Sequence, residues 1–223
     1  MNSQSTHRTI LYDIEIANAV PARYASPLEG VTYCKGWHDF KGMGIACVGV
    51  LEYVASDVST PLETIPTPRV FYGDDIHRIP PLFERADMVV GFNSKRFDDK
   101  LLAANGVKVK TDYDVLIEIW RAVGALEDSE DLETMVFDYH RHGGYGLDEV
   151  ASSNGLGRKA LTGAEAPIRW QKGDYAKVIS YCLQDVAMTA RILDCAIRRR
   201  SLTLRAQGGG RADFFLEPPC NRL

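Results

Sequence analysis

Apolar positions fall in short blocks separated by stretches rich in Gly, Pro and Ser, and each block carries one of two periods. Arg8 to Ile16 is dense in β-branched and aromatic residues and predicts a strand. Gly44 to Val54 predicts a second, mostly apolar strand, and Arg69 to Tyr72 a shorter third, with a turn-rich connection from Ser56 to Pro68. Ile76 to Ala86 is expected to hold a helix, after which Met88 to Phe92 returns as a buried strand. Phe97 to Asn105, ended by Gly106, predicts a short helix. Val115 to Val123 predicts another, with Asp114 as its N-cap. Leu147 to Ser153 follows a Gly-rich segment, and Asp174 to Arg200 is the longest helical pattern, closing in three arginines that suit a helix C-terminus. Strands come first and helices follow, with one strand between them. The expected class is α/β, a mixed sheet flanked by helices.

Two further segments, 19–43 and 124–146, predict irregular structure that serves as substrate clamps or as decoration, and the acidic run from Glu127 to Glu133 reads as a solvated face. His140 and His142 are expected in a Gly-flanked loop as ordinary loop residues. Gly208 to Gly210 predict a flexible joint, so the chain divides into a domain over 1–205 and a flexible C-terminal tail over 206–223. Phe214, Phe215 and Leu216 in that tail are either a handle for a protein partner or an apolar patch docked on the chain's own body.

Composition narrows the function classes. With 223 residues, 45% of them hydrophobic and 25% charged, the chain can bury one substantial core. No apolar run approaches the ~20 residues of a membrane span, and Met1 to Thr9 lacks the apolar core of a signal peptide, so a cytoplasmic location without membrane contact is expected. The five cysteines show no C-x-x-C pair and no zinc spacing, and read as free thiols, with Cys47 and Cys182 as small core residues. A net charge of −4 excludes a protein that coats nucleic acid by charge alone. It leaves room for an enzyme that grips a few nucleotides at one end.

Three elements carry candidate chemistry. In Asp13-Ile14-Glu15 the period of a strand puts both carboxylates on one face. They repel each other there, and either the strand is an exposed edge or a cation relieves the repulsion. In Gly91-Phe92-Asn93-x-x-x-Phe97-Asp98 a strand runs out and turns into a helix, where Asp98 is a cap or a free ligand, and Asp99 is the cap in the second case. In Tyr181-x-x-x-Asp185 a phenol and a carboxylate stack on one helix face, either as a packed pair or as part of a site. Val178, Cys182, Val186 and Ile192 supply apolar neighbours.

Taken in order, D-x-E, N-x-x-x-F-D and Y-x-x-x-D, the chain resembles the DEDD exonuclease superfamily in its tyrosine subgroup, and is similar to the proofreading domains of family B DNA polymerases. The resemblance spans about Thr9 to Leu193 and includes Leu147-Asp148-Glu149-Val150 with Gly157-Arg158-Lys159, which look like the helix and loop before the last motif. The histidine subgroup carries H-x-x-x-x-D, and that position here is Ser180.

The resemblance implies an RNase H-like fold with the carboxylates at the middle of the sheet. It implies two divalent ions, Mg²⁺ or Mn²⁺, held by Asp13, Glu15, Asp98 and Asp185, with Tyr181 orienting the attacking water. The expected activity is 3′→5′ release of nucleoside monophosphates from single-stranded nucleic acid, DNA before RNA. The alternatives are an RNA 3′-end trimming enzyme, a catalytically silent nucleic-acid-binding module, and an endonuclease of related fold. Asn93 and Phe97 match positions that contact the terminal nucleotides, and Arg158 and Lys159 are candidate phosphate contacts. Lys95, Arg96 and Lys100 beside the second motif, and Arg169 and Lys172 before the third, extend that set.

Overall fold

A computed structural model describes residues 6–22, 26–132 and 134–221. Its centre is a five-stranded sheet. β1 (His7–Ile16), β2 (Ile45–Ala55) and β3 (Arg69–Tyr72) form an antiparallel meander. β4 (Met88–Gly91) lies parallel to β1 on its other side, and β5 (Tyr113–Asp114) lies parallel to β4. The order is β3-β2-β1-β4-β5, so the strand carrying the first motif is central. This is the mixed, helix-flanked α/β sheet of RNase H-like type that the motifs imply.

The helices are α1 (Phe40–Met43), α2 (Pro80–Phe83), α3 (Asp98–Ala104), α4 (Val115–Ala122), α5 (Tyr139–His142), α6 (Leu147–Ser153), α7 (Ala166–Gln171) and α8 (Tyr175–Arg199). The alternation of β1 sorts them. Ile10, Tyr12, Ile14 and Ile16 pack with Leu101 and Leu102 of α3 and Phe83 of α2 on one face. Leu11 belongs to the larger core on the opposite face, with Trp120 of α4, Val150 of α6, and Val186 and Ile192 of α8. Asp13 and Glu15 share the parity of Leu11 and so face α8.

Register also opens a crevice. β1 pairs with β4 only from Thr9–Met88 to Leu11–Val90. Beyond Leu11 it continues to Ile16 against β2 alone, while β4 ends at Gly91 and its chain turns away. Asp13 and Glu15 lie where two parallel strands part, at their carboxyl ends. That is the usual place for a ligand in an open α/β sheet.

The span 76–86 holds the expected helix as α2, preceded by a 3₁₀ turn, Gly73–Arg78; Pro80 and Pro81 lack the N–H groups that would let the two run on as one helix. Other expectations need correction. The flexible tail is not observed. Gly208–Gly210 lie in the turn of a hairpin between β6 (Ser201–Arg205) and β7 (Arg211–Phe215). Leu202, Leu204 and Leu216 are buried in the main core, and the Tyr113 hydroxyl donates to the Glu217 carbonyl at 2.7 Å. Phe214 packs partly against that core and Phe215 is exposed, so the three apolar residues do not form one handle.

His140 and His142 lie on α5 rather than in a loop. His142 is buried against Trp120, and its Nδ1 accepts the Asp138 N–H at 3.0 Å. Among the described residues no helix is long and apolar enough to cross a membrane. Of the polar N-terminal segment, Met1–Ser5 lie outside the described residues, as does Glu133 of the acidic run.

Candidate metal centre

Asp13 and Glu15 sit opposite Gly49 and Cys47 of β2, on the face that α8 crosses. The glycine is required there. A Cβ on Gly49 would lie 2.9 Å from Val186 Cγ2 and 3.0 Å from Cys182 Sγ, closer than such atoms approach. With no side chain at that point α8 lies directly on the sheet, the Cys182 thiol reaches the Asp13 carbonyl at 3.5 Å, and Asp185 meets the D-x-E pair. One carboxylate oxygen each from Asp13, Glu15 and Asp185 lie within 4.8 Å of one another.

Asp98 arrives from the other side of the crevice. Asn93 turns the chain with φ 66°, a left-handed conformation that Asn tolerates better than most residues. Asp114 braces that turn. Its buried carboxylate accepts the N–H groups of Asn93 (2.8 Å) and Lys95 (3.0 Å), and also caps α4 through Leu116 (3.0 Å). Asp98 opens α3 and is 4% exposed. Asp99 is not the cap. It faces away, accepting from the Tyr12 hydroxyl and from Thr111 N (3.1 Å) and Oγ1 (2.9 Å). Asp98 lines a cavity of about 300 Å³ together with Asp13, Glu15, Asp185, Tyr181, Asn93, Phe97 and Lys159.

The four carboxyls are unusually costly to ionise. Burial raises Asp13 well above the ordinary range, and Asp185 and Asp98 raise it further. Glu15 is raised by burial, then by Asp13 and Asp185. Asp98 is pushed up to about 7, first by burial. Asp185 is raised by burial although Lys159 opposes the rise. Asp13 Oδ2 and Asp185 Oδ1 are buried with no hydrogen-bond partner among the described residues. A buried orphan of this kind costs about 1–3 kcal/mol, and more when charged. A hard divalent cation supplies both the missing partner and the missing charge, and an all-oxygen donor set suits Mg²⁺ or Mn²⁺. The residues fit the ions that the motifs imply.

Lys159 supplies the positive charge that the chain itself brings to this cluster. Its Nζ lies 2.5 Å from Asp185 Oδ2 and 5.0 Å from the centre of the Tyr181 ring. Burial works against its charge, but Asp185, Tyr181 and Asp13 outweigh burial and raise its pKa. The loop that carries it is held from two sides. Asp148 on α6 accepts the Lys159 N–H at 2.6 Å, and Gln184 on α8 donates to the Arg158 carbonyl at 3.1 Å. This explains why a helix–loop segment far from the carboxylates in sequence belongs to the same unit.

Other expected contacts are placed elsewhere. Arg158 is exposed and outside the cavity wall. Arg96 lies over the Trp120 and Phe137 rings at 5.2 and 5.6 Å, and Lys95 Nζ donates to the Asp112 carbonyl at 2.7 Å. Arg169 is bound to Asp174 at 3.2 Å. Lys172 is exposed on a separate surface beside it. Two residues that matter to the site had no signal of their own. Asp114 reads in sequence only as a helix cap, and Trp37, which lines the cavity, sits in a segment without periodicity.

No family model matches the sequence, and no curated protein matches it. Among solved structures the chain is similar to the family B DNA polymerase from the hyperthermophilic archaeon Pyrobaculum calidifontis. The TM-score is 0.48 at 18% identity, over 86% of this chain and 24% of the polymerase. It is also similar to a moderately thermophilic Exonuclease I from Methylocaldum szegediense, with a TM-score of 0.45 at 14% identity, over 87% of this chain and 41% of that one. The chain thus spans less than half the length of either structure. Both likenesses are distant and say nothing of this chain's chemistry.

Proposed function

We propose that the chain is a metal-dependent 3′→5′ exonuclease of the tyrosine DEDD type. In this reading it releases nucleoside monophosphates from the 3′ end of single-stranded nucleic acid, DNA in preference to RNA. The observation that carries the reading is the convergence of Asp13, Glu15 and Asp185 with orphaned, buried carboxylate oxygens beside Asp98 and Tyr181. A cluster that gained nothing from a cation would pair these oxygens with N–H groups, as Asp99 and Asp114 are paired.

In this proposal Asp13, Glu15 and Asp185 would hold one divalent ion and Asp98 with Asp13 a second, and the ions would supply positive charge to the phosphodiester under attack. Tyr181 acts as a neutral phenol. Burial, with Asp185 adding and Lys159 opposing, lifts it above its ordinary range, so it orients the water through a hydrogen bond and takes no proton from it. Lys159 stands where it can turn from Asp185 to a phosphate oxygen once a cation takes up the carboxylate charge. Asn93 and Phe97 form the wall against which the terminal nucleotide rests.

The direct test is hydrolysis of 5′-labelled single strands, DNA beside RNA, with Mg²⁺ or Mn²⁺ and after chelation. A ladder shortening from the 3′ end, abolished by chelator and by Asp13→Ala or Asp185→Ala, is expected. Faster shortening of RNA would move the substrate to the trimming class. Cleavage of a closed circle, or undiminished cleavage in excess chelator, would overturn the proposal.

A further inference from the structure

Trp37 is the exposed aromatic residue of the cavity wall, with 65% of its surface open to solvent. It stands on a turn that the chain takes trouble to hold. The Asp39 carboxylate accepts the N–H groups of Lys35 (2.8 Å) and Gly42 (3.0 Å), and the Asp39 N–H donates to the Gly36 carbonyl at 3.0 Å. Gly36 adopts φ 143°, which favours glycine. Asn18 at the end of β1 ties the turn down by donating to the Gly42 carbonyl at 2.7 Å. An exposed indole on a loose loop would need no explanation. One on a braced turn at the rim of a carboxylate cavity is held in place for a partner.

The neighbouring rings define what that partner is. The Trp37 ring lies 6.4 Å from Phe97 at 65°, and Phe97 lies 5.9 Å from Phe40 at 64°. Both contacts are edge-to-face, so the indole meets Phe97 at an angle and is not covered by a parallel ring. Phe97 and Phe40 pack on the core below, while Trp37 projects above it. Lys35 on the same turn and Lys41 on α1, both exposed, lie within four residues of it in sequence. A flat apolar surface with ammonium groups close by in the chain suits a flat heteroaromatic ring on a polyanion, that is, a nucleobase of a single strand. The opening beside Trp37 leads to Asp13, Glu15, Asp98 and Asp185, so a strand stacked here has its end at the carboxylates.

We infer that Trp37 is a base-stacking residue that grips the 3′-terminal region of single-stranded DNA at the mouth of the cavity. The inference rests on the proposed exonuclease reading and adds to it a substrate-holding role for the segment between β1 and β2. Stacking on an aromatic side chain is tolerant of base identity, so the grip selects unpaired ends and not a sequence.

The test uses the full chain with Ca²⁺, to hold the strand with little turnover, and a short oligodeoxynucleotide bearing 2-aminopurine at one of its last three 3′ positions. Stacking quenches 2-aminopurine. The wild-type chain is expected to quench it at one of those positions. Trp37→Ala should remove that quenching and bind about 5- to 100-fold more weakly, while Trp37→Phe keeps most of both. Replacing the quenched base by an abasic sugar should cost the wild type this same factor and cost Trp37→Ala almost nothing. Trp37→Ala that binds and quenches like the wild type would overturn the inference and leave the exonuclease proposal standing. A wild-type chain that binds no oligonucleotide would overturn both.

Discussion

At Tyr181 the proposed mechanism is most exposed. The side chain is 2% exposed and one helical turn from Asp185, so its hydroxyl has one direction in which to act. Tyr181→Phe keeps the ring that packs with Cys47, Ala166 and Val178 and should leave the melting temperature almost unchanged. The single-turnover rate should fall roughly 10- to 1,000-fold with KM little altered, the signature of an interaction realised in the transition state. An unchanged single-turnover rate would make the tyrosine structural. Tyr181→His should not restore the rate, because the histidine subgroup uses the position one residue earlier, about 100° around the helix.

Lys159 invites the opposite experiment. With its ammonium at Asp185, it offsets carboxylate repulsion in the metal-free chain. Lys159→Met should therefore lower metal-free stability yet tighten Mn²⁺ binding in calorimetry, since the ion no longer competes with a resident charge. Weaker Mn²⁺ binding by this variant would count against a competing role.

Among the elements, α8 against β2 decides whether the site exists. Gly49 gives no sequence signal beyond a small residue in a strand, yet it sets how closely the helix carrying Tyr181 and Asp185 approaches Asp13. Gly49→Ala should cost about 1–3 kcal/mol through overpacking against Val186 and Cys182. It should also weaken Mn²⁺ binding by pushing Asp185 away from the D-x-E pair. Chemical denaturation and calorimetry on one preparation check both, and a variant with wild-type stability and affinity would show that α8 has slack. The turn between β4 and α3 was half legible. The strand exit and the short helix follow from Gly91, Phe97 and Gly106, but the choice between Asp98 and Asp99 does not. Tyr12 and Thr111 claim Asp99, and both partners are distant in sequence.

The buried carboxyls give the whole molecule a pH dependence of stability. Asp98 at about 7 and Asp114 at about 6 titrate above their ordinary 3.8, as Asp13 and Glu15 do in direction, all first through burial. Such groups bind protons more tightly folded than unfolded. Between about pH 4 and 7 the native state carries the extra protons, so stability falls as pH rises through that window. The melting temperature of the chelated protein should therefore drop from about pH 5 to pH 8, and Mn²⁺ should restore it at pH 8 far more than at pH 5, because ligation requires the deprotonated carboxylates. A chelated protein that grows more stable toward pH 8 would contradict the burial of these groups.

Much of the molecule was determined by the sequence alone. Period two in β1 puts Asp13 and Glu15 on one face, period 3.6 in α8 aligns Tyr181 with Asp185, and both are local geometry that a chain carries wherever it folds. β3 and α6 also match their sequence patterns, because glycines and turns bound them clearly. Tertiary structure decided the rest. The hairpin of β6 and β7 reads as a flexible tail because its strands are short and its turn carries three consecutive glycines, Gly208 to Gly210. It becomes ordered through Leu202, Leu204 and Leu216, which reach a core made by distant residues. Asp114 as a brace, Lys159 as a resident counter-ion and Trp37 at the cavity mouth arise where segments far apart in the chain meet. No local period records such meetings; they follow from which strands pair and how closely α8 lies on the sheet.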